Sequence, residues 1–334
     1  MIALILYIML KSYYKSIKGC DLMSNNVVSE IVANIEKVII GKKKTVEHIV
    51  IALICNGHIL IEDVPGVGKT TLVSALAKSI SADYKRIQFT PDVMPSDITG
   101  FSMYHPKKQE FEYQEGVLNT NILLADEINR TPPKTQSSLL EAMEEKQVTV
   151  DGQTYPLPNP FLVFATQNPI EYLGTYPLPE AQVDRFIMKI SIGYPNEAQE
   201  ALILSTYDNT HPLKKLQSVT TIEQLLTVQE EVRSVFINQE LKEYIVELVS
   251  QTRKEKEVIL GASPRGSLNL MIAAKAWAYY KGRDYVIPDD ILALYVPVIA
   301  HRISLRQEAT LKDQTPEKIL SKIINQTKIP TGVN

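Results

Sequence analysis

The chain of 334 residues is poor in the features that mark disulfide-rich or nucleic-acid-binding proteins. Its two cysteines, Cys20 and Cys55, are too few for a disulfide framework and fit a reducing cytoplasm. The net charge of −3 gives no global electrostatic reason to expect a nucleic-acid partner. Internal repeats and low-complexity segments are absent. The hydrophobic fraction of 45% is ordinary for a globular protein, and the length suits two domains.

The sequence also lacks an apolar run long enough for a stable membrane span. Residues Ile2 to Leu10 are nearly all apolar, but this run is too short and lacks the positive segment that begins a secretory signal. We predict that residues 1–23 are an N-terminal extension. It has three interpretations, which are a start codon placed too early, a peripheral anchor and an amphipathic extension. We favour the first, with Met23 as the natural start.

The most informative segment is an apolar run that ends in two adjacent carboxylates. Residues Ile122 to Ala125 show no alternation of apolar and polar side chains, which indicates a strand buried on both faces. Asp126 and Glu127 would then lie at the edge where open α/β sheets bind ligands. One acid could organise a magnesium ion and the other could activate a water. A solvated strand end or a helix N-terminus is the simpler alternative.

A segment upstream has the pattern of a phosphate-binding loop. An apolar run leads into a Pro/Gly turn and then into an apolar-periodic segment, which predicts a strand, a loop and a helix. Glycines would let backbone N–H groups approach phosphate oxygens, and the helix would add its positive end. Lys69 would reach the β- and γ-phosphates, and the Thr70 hydroxyl would complete the magnesium shell. The predicted nucleotide-binding residues of this loop are Gly66, Val67, Gly68, Lys69, Thr70 and Thr71.

The loop departs from the generic pattern G-x-x-x-x-G-K-[ST] at one position. The pattern requires glycine where this chain has Asp63. Taken alone, the segment could therefore be an ordinary turn before a helix. The acid pair downstream favours the phosphate-binding interpretation, because a phosphate loop and a magnesium-type acid pair together indicate a nucleotide hydrolase.

The order of the predicted elements indicates an α/β domain over residues 24–195. Helices alternate there with short apolar strands, as in a parallel sheet with helical crossovers. Two hairpins interrupt the pattern, one between Asp92 and Leu118 and one turned at Asp151-Gly152. The predicted strands of the sheet are Ile59–Ile61, Lys85–Phe89, Ile122–Ala125, Phe161–Thr166 and Phe186–Ile190.

Residues 196–330 show a different pattern, because the strands stop and amphipathic helices follow. These residues are predicted to form a small all-α domain. One helix face is marked by apolar residues at positions i, i+3, i+4, i+7 and i+8, which are Leu241, Tyr244, Ile245, Leu248 and Val249.

Residues Asp126 to Glu145, with the sequence DEINRTPPKTQSSLLEAMEE, resemble the signature of the MoxR family of AAA+ ATPases. The resemblance covers roughly Val27 to Ile303, and several separated motifs agree in order. The family commonly has D-x-P-G-x-G-K-T in its phosphate loop, so Asp63 departs from the generic motif but not from the family. The resemblance implies a P-loop sheet domain with hairpins that face the pore of a ring, followed by a helical lid.

The resemblance implies roles for further residues. Asn168 would be the sensor-1 residue that orients the attacking water with Glu127, although it could be a turn-capping asparagine. Ile40 and Gly41 match the segment that packs on adenine, and a core turn is the alternative.

Two arginines also match family motifs. Arg185 would be the arginine finger that enters the nucleotide site of the adjacent subunit and offsets charge in the transition state. Its alternative is a surface salt bridge with Asp184. Arg265 would be the sensor-2 residue that contacts the γ-phosphate from the lid. Its alternative is a charged residue in the first turn of a helix.

The resemblance implies a cytoplasmic enzyme that hydrolyses ATP with Mg²⁺ and remodels a client protein. Asp126 and Thr70 would organise Mg²⁺, and Glu127 would polarise the water. The partners would be copies of the chain in a hexameric ring and a client with a von Willebrand factor A-type domain, without nucleic acid. The alternatives are a magnesium-chelatase-like motor subunit and a nucleotide-gated binding scaffold with little hydrolysis.

Overall fold

The computed structural model describes residues 27–168, 174–207 and 211–330. The predicted extension of residues 1–23 lies outside the described residues. Within the described ranges, no helix combines the length and the apolar character that crossing a membrane requires.

The main sheet of the protein has five parallel strands, as the sequence predicts, with bounds that differ by one or two residues. They are β1 (Ile59–Glu62), β2 (Tyr84–Gln88), β5 (Ile122–Asp126), β8 (Leu162–Gln167) and β9 (Met188–Ile190). The order across the sheet is β2-β5-β8-β1-β9. Every residue of β5 and all but the last residue of β8 are buried, because helices cover both faces of a parallel sheet.

The two predicted hairpins are confirmed. The first consists of β3 (Gly100–His105) and β4 (Glu110–Glu115), and the second consists of β6 (Gln147–Val150) and β7 (Gln153–Pro156). The second turns at Asp151-Gly152, where both residues have positive φ, of 50° and 81°. A two-residue hairpin turn of this type requires that conformation, which explains the Asp-Gly signal.

Helices pack on the sheet and form the C-terminal region. They are α1 (27–36), α2 (Lys43–Ile54), α3 (Lys69–Ser79), α4 (Pro95–Thr99), α5 (Pro133–Glu145), α6 (Glu180–Val183), α7 (Glu197–Tyr207), α8 (Pro212–Lys215), α9 (Ile222–Ser234), α10 (Gln239–Thr252), α11 (Pro264–Tyr280), α12 (Pro288–Ile299), α13 (Gln307–Thr310) and α14 (Pro316–Gln326). Several begin with a side-chain cap, such as Asn238 Oδ1, which accepts the Leu241 N–H at 2.8 Å.

The helical character of the C-terminal region is confirmed, with one addition. The apolar face predicted on α10 is buried, and the Tyr295 hydroxyl of α12 donates to the Leu248 carbonyl at 2.8 Å. Two short strands, β10 (Val258–Leu260) and β11 (Ser304–Leu305), pair antiparallel there. The prediction that residues 196–330 contain no strands is therefore wrong in this detail. Segments of three and two residues are too short to show a period of two in the sequence.

The parallel sheet defines two edges. The strands end at the carboxyl edge, next to Asp63, Glu127 and Asn168. They begin at the amino edge, next to His58 and Ile187. The site residues divide between these edges.

Candidate active site

The segment between β1 and α3 has the geometry of a phosphate-binding loop. Gly66 and Gly68 have φ of +86° and +94°, and apart from adjacent residues no heavy atom lies within 4 Å of the position that a Cβ would take on either glycine. The loop therefore leaves open space above its backbone, where a phosphate could approach. Helix α3 begins at Lys69, so its positive N-terminal end faces this space. The Lys69 ammonium donates to the Asp63 carbonyl at 2.9 Å.

A cavity of about 180 Å³ lies beside the loop. It is lined by the loop, by residues 38–40 and by residues 192–195. Ile40 therefore lies beside the phosphate loop. Gly41 follows with φ of +72°, and its carbonyl accepts the Gln199 side-chain amide at 3.2 Å. Ile203 and Tyr207 of α7 complete the lining, so the predicted lid range contributes to this cavity.

The acid pair lies at the carboxyl edge, where the sequence predicts it. Asp126 is 8% exposed, and its Oδ1 accepts the Thr166 hydroxyl at 2.6 Å. The same hydroxyl accepts the Glu127 backbone N–H at 2.8 Å. One buried hydroxyl therefore holds both acids. No motif in the sequence predicts this role for Thr166, and the available signal is a lone hydroxyl within the apolar run of β8.

Both carboxylates also have cationic partners. Asp126 Oδ2 accepts Arg86 Nη2 at 2.7 Å, and Glu127 Oε2 accepts Arg130 Nη1 at 2.9 Å. Gln88 Nε2 donates to Glu127 Oε2 at 2.6 Å. Arg86 and Gln88 lie on the same face of β2, the neighbour of β5. The alternative of a freely solvated strand end therefore does not describe this pair.

Glu127 has an unusual backbone. Its φ of 57° and ψ of 49° lie in the left-handed region, which costs a non-glycine residue on the order of 1 kcal/mol. The strand ends at this residue, and the carboxylate is directed toward Gln88 and Arg130. Such strain concentrates at functional sites.

Asn168 lies between the acid pair and the phosphate loop. It follows β8, which pairs with β5 on one side and with β1 on the other. Asn168 is 6% exposed. The expectation that this strand neighbours the strand of Asp126 is confirmed.

The donor set at this edge fits a magnesium ion. Within the described ranges, no cluster of three or more His, Cys, Asp or Glu residues could hold a metal ion. Magnesium does not need such a cluster, because it is commonly bound by one or two carboxylates together with substrate phosphates and water. The Asp126 carboxylate and the Thr70 hydroxyl are oxygen donors of that kind.

The two predicted arginines lie together, away from the phosphate loop. Arg185 Nη2 pairs with Glu144 Oε2 at 3.0 Å, and Arg265 forms an ion pair with the other oxygen of Glu144. The alternative prediction, a salt bridge between Arg185 and Asp184, is wrong, because each of the two residues has a different ionic partner. Asp184 Oδ1 accepts Arg302 Nε at 2.8 Å, and Asp184 Oδ2 accepts the Ser263 hydroxyl at 2.8 Å.

This cluster belongs to the amino edge. The Met143 carbonyl, next to Glu144, contacts His58 Nε2 at 3.0 Å, and His58 directly precedes β1. The phosphate loop follows the other end of β1, and a strand of four residues spans roughly 10 Å. The structure therefore does not bring Arg265 to the phosphate loop of its own chain, contrary to the sequence prediction. The reason is that the start of α11 is tied to Asp184 through Ser263.

Arg302 stabilises the packing of the helical region next to Asp184, a role that the sequence did not reveal. Its side chain is 1% exposed, and besides the bond to Asp184 Oδ1 it donates to the Asp184 carbonyl at 3.1 Å. Burial lowers the pKa of Arg302 to about 10, and the nearby Asp184 carboxylate acts in the opposite direction. A buried charge with several hydrogen bonds indicates a fixed contact between the helical region and the sheet domain.

Comparisons with known proteins agree with this geometry. A family described as "ATPase family associated with various cellular activities (AAA)" matches residues 58–188, and an AAA lid domain matches residues 250–323. The Bacillus subtilis protein YeaC is 52% identical over 304 residues, covering 91% of this chain and 95% of YeaC. Chaperone MoxR1 of Mycobacterium tuberculosis is 40% identical over 314 residues, covering 91% of this chain and 83% of MoxR1.

A solved structure shows the same fold. The crystal structure of a candidate ATPase from Cytophaga hutchinsonii superposes with a TM-score of 0.89 at 40% identity, covering 96% of this chain and 99% of that one. The similarity extends from the phosphate loop through the acid pair to the helical lid. The chain therefore belongs to the MoxR family of AAA+ ATPases and is an enzyme that hydrolyses ATP.

Proposed function

We propose that the chain acts in the cytoplasm as a subunit of a hexameric ring that uses ATP hydrolysis to remodel a client protein. The observation that carries this proposal is the division of the site residues between opposite edges of one sheet. A chain with the phosphate loop at one edge and the arginines at the other can complete the site of a neighbour. The chaperone name of MoxR1, at 40% identity, supports the remodelling role.

At the carboxyl edge, we infer that the loop from Gly66 to Thr71 binds the phosphates of ATP. Lys69 would leave the Asp63 carbonyl and donate to the β- and γ-phosphates. The Thr70 hydroxyl and Asp126, directly or through water, would hold Mg²⁺, which neutralises charge on these phosphates. Thr166 keeps Asp126 in place for this role.

Glu127 and Asn168 would act on the attacking water. The Glu127 carboxylate would accept a hydrogen bond from the water, and the Asn168 amide would orient it. Arg130 and Gln88 hold the Glu127 carboxylate in position through hydrogen bonds to its Oε2 atom. Ile40 and Gly41 would pack against the adenine.

At the amino edge, Arg185 and Arg265 would act together on the nucleotide of the adjacent subunit. Both are held by Glu144, so one face of the subunit presents both guanidinium groups. They would offset the charge that develops on the γ-phosphate in the transition state. This assignment moves Arg265 from its own site, where the sequence predicted it, to the neighbouring site.

The hairpin of β3 and β4 offers a surface for a client. Four of its apolar side chains are between 47% and 72% exposed, and two of them, Tyr104 and Phe111, have ring centroids 5.4 Å apart. Exposed apolar groups of this kind mark interaction sites. The four residues are Phe101, Met103, Tyr104 and Phe111. By the family resemblance, we propose that the client carries a von Willebrand factor A-type domain.

The two alternatives are less well supported. A binding scaffold with little hydrolysis would need neither Glu127 nor Asn168, and the family is one of ATPases. The identity to MoxR1 favours a chaperone role over that of a magnesium-chelatase-like motor subunit.

The test is client capture by the Glu127→Gln variant in the presence of ATP. The amide keeps the shape of the side chain but accepts a proton poorly, so ATP turnover should fall by about 100-fold while ATP stays bound. The trapped ring should retain a protein with a von Willebrand factor A-type domain. The matched control is the double variant Lys69→Ala/Glu127→Gln, which should bind neither ATP nor client.

Three outcomes would contradict parts of the proposal. Turnover equal to that of the parent would refute the role of Glu127. Equal capture by the double variant would show that client binding does not depend on ATP. Capture of a protein without the expected domain would refute the client assignment and leave the ATPase mechanism intact.

A further inference from the structure

Asp63 stands where the generic phosphate-loop pattern has glycine, and its side chain makes contacts that glycine cannot make. The residue is 6% exposed. Its Oδ2 atom accepts the Ser191 hydroxyl at 3.1 Å, the Gly193 N–H at 3.0 Å and the Ile192 N–H. Three donors therefore converge on one carboxylate oxygen, and hydrogen bonds to a charged acceptor are the stronger kind.

The segment that Asp63 holds is a wall of the nucleotide cavity. Ile192 and Gly193 line the cavity together with the phosphate loop and residues 38–40. The next residue, Tyr194, also lines the cavity, and its carbonyl accepts the Lys42 ammonium at 2.8 Å. The wall is thus fixed to the phosphate loop at one point and to the start of α2 at another.

The backbone of Asp63 also serves the phosphate side of the cavity. Its carbonyl accepts the Lys69 ammonium at 2.9 Å, and Lys69 is the residue that would bind the β- and γ-phosphates. One residue therefore contacts both the phosphate-binding lysine and the wall against which the nucleoside would lie.

We propose that Asp63 is a positioning residue that fixes the wall of residues 191–193 at the distance from the phosphate loop that a nucleoside triphosphate requires. Its carboxylate governs binding of the nucleoside part of ATP, while the loop backbone governs binding of the phosphates. The inference rests on the proposed placement of ATP in this cavity.

The neighbouring residue provides a matched control. Glu62 also connects β1 to β9, because its carboxylate accepts the Lys189 ammonium at 2.8 Å. Glu62 is one position away and lies outside the residues that hold the cavity wall. If the link between β1 and β9 were what matters for ATP binding, Glu62→Gln would weaken ATP binding as well. If the wall is what matters, only substitutions of Asp63 will weaken it.

The experiment compares binding of Mg-ATP with binding of inorganic tripolyphosphate, a probe without the nucleoside, by calorimetry on the full chain. Asp63→Gly restores the generic residue and removes the tether. We expect its Kd and KM for ATP to rise about tenfold, or about 1.4 kcal/mol, with kcat changed by less than about twofold. Its Kd for tripolyphosphate should stay within about twofold of the parent value, because the loop backbone is intact.

Asp63→Asn keeps one oxygen acceptor without the charge. Its ATP affinity should fall by about threefold, between the parent and Asp63→Gly, since hydrogen bonds to a neutral acceptor are weaker. Glu62→Gln should bind both probes like the parent. Melting temperatures of the variants, measured without nucleotide, identify any variant that is not folded, and Asp63→Asn keeps the test valid if Asp63→Gly unfolds.

Three results would overturn the inference. Equal losses for ATP and tripolyphosphate would show that Asp63 shapes the loop itself. Unchanged ATP affinity would show that the wall does not need the tether. Tighter binding of both probes would show that Asp63 acts as a negative charge near the phosphates. A parent chain that does not bind ATP in this cavity would instead refute the proposed function.

Discussion

At the scale of single residues, the Thr166 hydroxyl is the group on which the geometry of both acids depends. It donates to Asp126 and accepts from the backbone of Glu127. Without it, Asp126 loses a buried partner and the backbone at Glu127, already left-handed, loses one of its restraints. The positions of the two carboxylates that we propose to bind the metal and to activate the water would then be less well defined.

We therefore predict that Thr166→Val lowers kcat by about 100-fold with little change in KM for ATP. Valine has the same shape, so the change removes the hydroxyl and preserves the packing. The measurement is steady-state ATP turnover. The control is Thr131→Val, because Thr131 is also fully buried and its hydroxyl has no hydrogen-bond partner among the described residues. Equal activity of the two variants would contradict the role of Thr166.

The sequence predicts the residues whose function depends on local spacing. The phosphate loop and the acid pair are read from adjacent positions, and the structure places them at one edge of the sheet. Thr166, Arg86 and Arg302 could not be predicted in this way. Their contacts with Asp126 and Asp184 bridge 40 or 118 positions, and they depend on the strand order and on where the helical region docks.

At the scale of elements, buried neutral histidines join secondary structures. His58 Nδ1 accepts the Val163 N–H at 3.0 Å, so the ring proton must lie on Nε2, which donates to the Met143 carbonyl. His58 thereby connects the start of β1 to β8 and α5. Burial lowers the pKa of His58 to about 4, and burial followed by the charge of Lys44 lowers that of His48 to about 4.

These pKa shifts predict a loss of stability on mild acidification. The unfolded chain binds protons near pH 6.5, whereas these folded histidines do not until about pH 4, so stability is full above pH 6.5 and falls as pH decreases toward 4. Between pH 7.5 and 5.5, each histidine should contribute a loss of roughly 1 kcal/mol in the free energy of unfolding. Urea unfolding at the two pH values measures this loss.

The variant His58→Asn tests the assignment through the pH dependence and not through absolute stability. The drop between pH 7.5 and 5.5 should shrink by roughly 1 kcal/mol, because Asn does not titrate. His211→Asn, a change at an exposed histidine, should leave the drop as in the parent. An unchanged drop in His58→Asn would show that His58 is already protonated in the fold or is not buried in solution.

The elements themselves follow from the sequence to different degrees. Apolar runs without alternation predict β5 and β8, and the Asp-Gly turn predicts the hairpin of β6 and β7. The ribbon of β10 and β11 has no periodic signal, since it depends on pairing between segments more than 40 positions apart. The position of α11 against the sheet is likewise set by Ser263 and Asp184 and not by any pattern within α11.

At the scale of the whole molecule, the proposed assignment gives each chain one half of a site at each edge. Mixed assemblies of inactive variants test it. Glu127→Gln has a defective phosphate-loop half and a sound arginine half, and Arg185→Ala has the reverse. Mixed one to one at random, about a quarter of the sites should combine two sound halves and recover activity.

The same design locates Arg265. If Arg265 acts on the neighbouring nucleotide, Arg185→Ala and Arg265→Ala have the same defective half, and mixing them should restore no activity. Mixing Arg265→Ala with Glu127→Gln should restore about a quarter of the sites. Rescue between the two arginine variants would show that Arg265 acts in its own chain, which would contradict the position it takes beside Glu144.

Under the proposed assignment, the separation of the two edges has a further consequence for assembly, because it would make contact between copies directional. A linear run of n chains has n − 1 completed sites, with an unused phosphate loop at one end and an unused arginine pair at the other. Specific activity per chain would therefore rise with the length of an open run and reach its maximum only on closure. A chain with a sound arginine edge and a blocked phosphate edge would terminate growth in one direction alone.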